Sequence, residues 1–408
     1  MKTIAASIAT GLLLAALAPA QPPRYTVTDL GPVGSTLGQP FAVTNNSLVS
    51  GAAPVADATV HAVLWYQGVK LDIGTPGLGG PDGAAFGAVN SAAFAVDERG
   101  QAVGEAATST LDPNGEDFCG FKSFGLPSFG TTCLPFVWQY FVMTPLPTLG
   151  GNNGFAHAIN SRGVVAGTAE NTTADPACPA PQVFQFKPVI WENRQVQELP
   201  TYPGDLNGIA FGINGNGDVA GASGECTAFN HDSLVNLQPL HALLWQTGTI
   251  TDLGNLGGTG HGNGIQAYAV NRHDQVIGYS DLPGDTTFHS FLWTKETGMK
   301  DLGTLPGAVA SLAININDAG AVVGISLDPT FTPHAYLWEN GVMTDLNTLV
   351  NTNALIPGGA PLFLASACSI NSSGVITGFA FDMSTGEVHG YLATPAASSG
   401  ETNGSARR

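Results

Sequence analysis

Residues 313–324 read Ala313-Ile314-Asn315-Ile316-Asn317-Asp318-Ala319-Gly320-Ala321-Val322-Val323-Gly324. An apolar run enters Asn-x-x-Gly, and a second apolar run ends on Gly. Asn tolerates left-handed backbone and Gly adopts it without steric cost, so the four residues predict a tight turn between two short strands. The same skeleton is anchored at Asn160, Asn214, Asn271 and Asn371, and recurs in degraded form at Thr44 and Asp97. Seven anchors therefore run from position 44 to position 371, with a mean spacing of about 54 residues.

Two further motifs keep this phase. One is His61-Ala-Val-Leu-Trp65, His241-Ala-Leu-Leu-Trp245, His289-Ser-Phe-Leu-Trp293 and His334-Ala-Tyr-Leu-Trp338, with weaker copies ending at Trp138 and Trp191 and a last one at His389-Gly-Tyr-Leu-Ala393. All six tryptophans fall on one repeat position. The other is Thr251-Asp-Leu-Gly254, Lys300-Asp-Leu-Gly303, Thr344-Asp-Leu346 and the early form Leu71-Asp-Ile-Gly74. Each repeat thus holds four short segments, a (the Ala-Ile-Asn run), b (Val-Val-Gly), c (His-Ala-x-Leu-Trp) and d (Thr-Asp-Leu), rich in β-branched and aromatic residues and bounded by Gly, Pro and Asn, which is strand chemistry. Four antiparallel strands recurring at this period describe the blade of a β-propeller, here with seven blades in an all-β chain. The first Thr-Asp-Leu copy, Thr28-Asp29-Leu30, precedes the first repeat, and the last repeat stops one strand short. The N-terminal strand Tyr25–Leu30 is therefore expected to complete the last blade and remove the open edge. An open β-solenoid, the competing arrangement, needs no such split repeat.

The His-Ala-x-Leu-Trp stretches, the Asp-Leu-Gly segments (with Leu149-Gly150-Gly151 and Leu256-Gly257-Gly258) and the Asn-x-x-Gly-x-Val-x-Gly runs together resemble the extracellular HAF-repeat family, named for a His-Ala-Phe triplet. The resemblance covers roughly residues 25–394 and is weakest between 75 and 145, where Asp97 replaces Asn and Pro135-Phe-Val-Trp138 replaces the His-Ala form. It implies an exported bacterial repeat protein and marks no catalytic residue.

Composition narrows the class. Charged residues make up 11% of the 408, apolar residues 43%, and the chain carries 53 Gly and 27 Pro. That is too apolar and too weakly charged for a disordered chain. The net charge of −18 opposes binding to nucleic acid, whose phosphates would be repelled. Residues 1–20, MKTIAASIATGLLLAALAPA, have a Lys2 n-region, an apolar stretch from Gly11 to Leu17 and Ala18-Pro19-Ala20 before Gln21, the pattern of a cleaved secretory signal. The apolar stretch is too short to span a bilayer. The expected organisation is a signal peptide over 1–20, a propeller over 21–395 and a flexible tail over 396–408. The expected product is a secreted or periplasmic monomer with no membrane span.

Loop lengths separate the two rims of such a ring. The a–b turn is short throughout, and Trp lies eight residues from the apolar residue of strand d in all but one repeat, where it lies nine. The b–c connection holds 29 residues in repeat 2, 19 in repeats 3 and 4, and 9 or 10 elsewhere. One rim is therefore tight and the other elaborated, and recognition tends to live on loops held by a rigid scaffold. Cys119 and Cys133 fall in the repeat-2 loop, and Cys178 and Cys226 in equivalent loops of repeats 3 and 4. These positions predict disulfides Cys119–Cys133 and Cys178–Cys226, with Cys368 a buried free thiol in strand a of repeat 7.

Candidate ligand-binding residues lie on the same rim. Asp112-Pro-Asn114-Gly-Glu116-Asp117 alternates oxygen-bearing side chains at a spacing that suits a calcium turn, although the Gly and Glu of a full loop are missing. Asp281 and Asp285 flank Leu-Pro-Gly in repeat 5, and His231-Asp232 could serve acid–base work in the repeat-4 loop. The recurrent histidines read as structural, one hydrogen bond to a neighbouring strand per blade. The function expected is a binding or interaction module for an extracellular polysaccharide or protein. The alternative is a glycan-active hydrolase or lyase with paired carboxylates near the channel.

Overall fold

The structure is a computed structural model that describes residues 24–33, 39–54, 59–74, 90–116, 118–120, 130–230, 235–350 and 361–396. The expected signal peptide and all of the tail after residue 396 lie outside the described residues. Among those described, no helix is long and apolar enough to cross a membrane.

The chain forms a seven-bladed β-propeller of antiparallel sheets. The first strand, β1 (Tyr25–Pro32), stands outside the repeat order. Blade 1 is β2 (Pro40–Val43), β3 (Val49–Pro54), β4 (Val60–Tyr66) and β5 (Val69–Asp72). Blade 2 is β6 (Ser91–Val96), β7 (Ala102–Leu111), β8 (Thr131–Gln139) and β9 (Val142–Pro145). Blade 3 is β10 (Gly154–Ile159), β11 (Val165–Ala174), β12 (Phe184–Glu192) and β13 (Gln195–Glu198). Blade 4 is β14 (Asn207–Ile213), β15 (Val219–Asn230), β16 (Val235–Gln246) and β17 (Thr249–Asp252). Blade 5 is β18 (Ile265–Val270), β19 (Val276–Asp281), β20 (Phe288–Thr294) and β21 (Gly298–Gly303). Blade 6 is β22 (Ala310–Ile316), β23 (Val322–Leu327), β24 (Pro333–Glu339) and β25 (Val342–Asp345). Blade 7 splits its inner strand into β26 (Leu362–Leu364) and β27 (Ser369–Ile370), followed by β28 (Ile376–Asp382) and β29 (Val388–Pro395). Strand β1 pairs with β29 from Tyr25↔Pro395 to Pro32↔His389 and supplies the missing outer strand. The ring is closed as expected.

The motifs now have physical causes. Each Asn anchor folds its own turn and clasps the next blade. Asn214 Oδ1 accepts from the Asn216, Gly217 and Asp218 amides, while its Nδ2 donates to Asn271 O at 3.0 Å. The same donation runs Asn160 to Asn214, Asn271 to Asn317, Asn317 to Asn371, and Asn371 to Thr44 across the closure. Asp97 and Thr44 cannot donate an amide, but Asp97 keeps the turn bonds to Arg99 N and Gln101 N, and Thr44 Oγ1 keeps one from Leu48 N. The fourth turn position is not always Gly. Ser47 and Asp274 occupy it with φ of 62° and 58°.

The His and Asp motifs are partners. His61 bonds Asp72 at 2.9 Å, His289 bonds Asp301 at 2.9 Å, and His334 bonds Asp345 at 3.1 Å, each linking strand c to strand d. His389 bonds Asp29 of β1 at 3.0 Å, so the closing strand carries the same pair. His241 departs from the pattern and turns to Asp205, in the preceding connection, at 2.8 Å. The structural reading of these histidines accounts for their recurrence.

Glycine in strand b explains a further recurrence. A methyl group on Gly51, Gly104, Gly167, Gly221, Gly278, Gly324 or Gly378 would lie 1.8–2.3 Å from a carbonyl oxygen of strand a. Those carbonyls belong to Gln39, Ala92, Phe155, Ile209, Gln266, Leu312 and Ser366, always two residues before the residue that precedes the anchor by three. Strands a and b approach this closely because strand a carries a β-bulge there. The register slips between Ala93 and Ala95, Ala156 and Ala158, Ala210 and Gly212, Ala267 and Ala269, and Ala313 and Asn315. It also slips between Pro40 and Ala42, and blade 7 breaks its strand at the equivalent point.

Candidate functional site: elaborated rim and central channel

The long loops of blades 2–4 are tied into one body. Both expected disulfides are present, Cys119–Cys133 within blade 2 and Cys178–Cys226 between blades 3 and 4. Asn153, fully buried, donates its Nδ2 group to Asp112 Oδ2 at 2.8 Å, Glu116 Oε2 at 2.8 Å and Glu170 Oε2 at 3.0 Å. Its Oδ1 accepts from Cys133 N. Gln182 Nε2 donates to Glu170 Oε1 at 2.7 Å, and Val183 N to Glu116 Oε1 at 2.8 Å. Burial and the hydrogen bond that the protonated Glu170 carboxyl donates to Glu116 push Glu170 up to about 9, so at neutral pH Glu170 keeps its proton. Asn207 repeats the device one blade on, donating to Asp175 Oδ2 at 2.8 Å.

The expected calcium turn is thereby accounted for differently. Asp112 Oδ1 accepts from Asn114 N and Glu116 N, and Asn114 Nδ2 donates to Glu116 Oε1. Every carboxylate oxygen of Asp112 and Glu116 faces a donor, so the set does not present free oxygens to a hard cation. Asp117, His231 and Asp232 lie outside the described residues. Asp281, fully buried, accepts from Gly262 N, Asn263 N and Gly264 N. Asp285 accepts from Thr259 N and Thr259 Oγ1, and those two bonds hold its carboxyl below the usual range. Asp281 and Asp285 therefore pin the connection between blades 4 and 5 from two sides.

A second site was not found from the sequence. Each bulge turns one side chain into the central channel: Phe41, Phe94, His157, Phe211, Tyr268, Ile314 and Cys368, one per blade and all three residues before the anchor. Bulges re-aim side chains in this way. Neighbouring rings touch in sequence around blades 1–5: Phe41–Phe94 at 5.0 Å, Phe94–His157 at 5.4 Å, His157–Phe211 at 4.7 Å and Phe211–Tyr268 at 4.8 Å. The channel cavity is about 430 Å³, and no carboxylate lines it among the described residues. Toward the tight rim it shares Val96, Ile159, Ile213, Val270 and Ile316 with a polar vestibule of about 420 Å³ ringed by the Asn turns. Cys368, the free thiol, faces the channel, and burial pushes it up to about 11. The signal was present in the sequence as a mainly aromatic position at fixed distance from each anchor.

No family model and no curated protein matches the chain. Solved structures with a related fold include a Mycobacterium tuberculosis puromycin-hydrolyzing peptidase, 11% identical with a TM-score of 0.46 over 89% of this chain and 54% of that one. The Trypanosoma rangeli sialidase is 8% identical, with a TM-score of 0.38 over 88% of this chain and 55% of that one. An Aleuria aurantia lectin mutant in complex with Fucα1-6GlcNAc is 6% identical, with a TM-score of 0.34 over 79% of this chain and 94% of that one. The chain spans about half the length of the first two. These likenesses concern the fold alone.

Proposed function

We propose that this chain is an exported HAF-type repeat protein that acts as a binding module, recognising an extracellular polysaccharide or protein through the elaborated rim of blades 2–4. The carrying observation is the immobilisation of that rim. Two disulfides and the Asn153 carboxyl network cross-link the described residues of these loops. A rigid surface loses less entropy on association, which favours affinity without new contacts. Among the described residues of this rim, Leu111 and Leu206 have 71% and 45% of their surface exposed. The alternative, a glycan hydrolase or lyase, needs paired carboxylates; among the described residues none lines the inner cavity, while Asp97, Glu98 and Asp318 line the vestibule at its tight-rim mouth.

The test is an array of glycans and extracellular proteins probed with the chain, repeated with Leu111→Asp and Leu206→Asp. We expect a ligand whose binding drops at least 10-fold with either substitution. A ligand insensitive to both, or no ligand at all, would count against the rim as the recognition surface.

A further inference from the structure

The central channel holds a built cavity that the rim reading does not use. We infer that it binds a small neutral aromatic molecule bearing one hydroxyl or N–H group, seated among the bulge side chains with its donor on His157 Nε2.

Three observations converge. First, six bulges and the strand break of blade 7 aim seven side chains at one axis, and four of the seven are Phe or Tyr. Bulges and their strand-b glycines would be needed for blade packing whatever the side chain, yet blades 1, 2, 4 and 5 place large rings there. Phe41, His157, Tyr268 and Ile314 keep part of their surface open to the channel rather than burying it in the blade. Second, a cavity of about 430 Å³ lies within the range of small-molecule sites, which pair apolar walls with few polar groups.

Third, one polar group among the aromatic rings is defined in its chemistry. His157 Nδ1 lies 2.9 Å from Phe211 O, which can only accept, so Nδ1 carries the proton. Burial pushes this imidazole down to about 4, so the ring is neutral and Nε2 is a lone-pair acceptor. Nε2 has no hydrogen-bond partner among the described residues, and the ring is held by the Phe94 face and the Phe211 edge. A fixed acceptor in a cavity wall that also carries Gln39, Asn315 and Ser366 favours a ligand that donates. A carboxylate or phosphate is disfavoured there, because no cation lines the cavity among the described residues. The vestibule of Asn turns offers a polar route in from the tight rim, opposite the surface proposed above, so the two sites are independent.

N-phenyl-1-naphthylamine, a neutral fluorescent aromatic with one N–H, is the direct probe, and 1-phenylnaphthalene is its partner of like shape without a donor. We expect saturable binding of one N-phenyl-1-naphthylamine per chain, roughly 3- to 10-fold tighter than 1-phenylnaphthalene, as one net hydrogen bond allows. His157→Phe keeps the ring and removes the acceptor, and should abolish that preference while leaving 1-phenylnaphthalene binding unchanged. Ile314→Trp should fill the cavity and remove binding of both, whereas Val342→Ser at the exposed start of the outer strand β25 should alter neither. Absence of saturable binding, equal affinity of the two probes for the unmodified chain, or binding that survives in folded Ile314→Trp overturns the inference. The comparison of the two probes on the unmodified chain stands even if Ile314→Trp fails to fold.

Discussion

Gly278 and Tyr268 show how one residue constrains another across two strands. The bulge at Tyr268 brings the Gln266 carbonyl to within 1.9 Å of where a Gly278 methyl would sit. Gly278→Ala must therefore push strand a outward or flatten the bulge. We expect a loss of about 1–3 kcal/mol, read as a lower urea midpoint with an unchanged slope. The loss should be accompanied by weaker probe binding in the channel, because Tyr268 is displaced with its strand. Ordinary strand glycines have no such coupling, so an unaltered channel with a destabilised blade would argue against the link. The recurrence of both residues was legible in the sequence, but their dependence on each other was not. A carbonyl 1.9 Å from where a methyl group would sit is a property of two paired strands, and one-dimensional spacing does not contain it.

At the scale of the element, the long loops of blades 2 and 3 meet over a buried carboxyl pair. Glu170 is faced by Glu116, Asn153 and Gln182, with Asp112 on the same Asn153 amide. Its folded value is raised from 4.5 to about 9, so the protonated form is favoured in the folded state. The sign follows from linkage. This contribution is fully present below the unfolded value and is lost as pH rises through about 9. Urea midpoints should therefore fall between pH 5 and pH 9.5, and Glu170→Gln should flatten that dependence by presenting an uncharged group at every pH. A variant as pH-dependent as the parent would show that the pair does not hold the loops. The repeat-2 loop was recognisable as exceptional from its length and its cysteines, and both disulfides were assigned correctly from position. The acidic run at Asp112 is open to more than one reading for a physical reason. Clustered carboxylates look alike in sequence whether they meet a cation, a proton or an amide, and only the fold brings Asn153 and Glu170 from blade 3 to meet them.

The whole molecule depends on closure. Strand β1 completes blade 7, its Asp29 takes the His389 imidazole, and Asn371 donates across the joint to Thr44. Deleting residues 24–32 should expose the edge of β29 and remove the His389 partner. We expect a chain that aggregates or melts at least 10 °C lower, seen by size-exclusion chromatography and a thermal scan, because an unpaired edge invites pairing between chains. A deletion variant that remained monomeric with an unchanged melt would show that the ring does not rely on this strand. By itself the sequence determined the number of blades, the strand order, the closing segment, the contrast between rims and the cysteine pairing, since each is carried by repetition along the chain and by local strand and turn chemistry. Only the tertiary structure decided which side chains look into the channel, what the acidic loop faces and where the histidines find their carboxylates. Those outcomes depend on how seven twisted sheets converge on one axis, and convergence is a relation between residues some fifty positions apart.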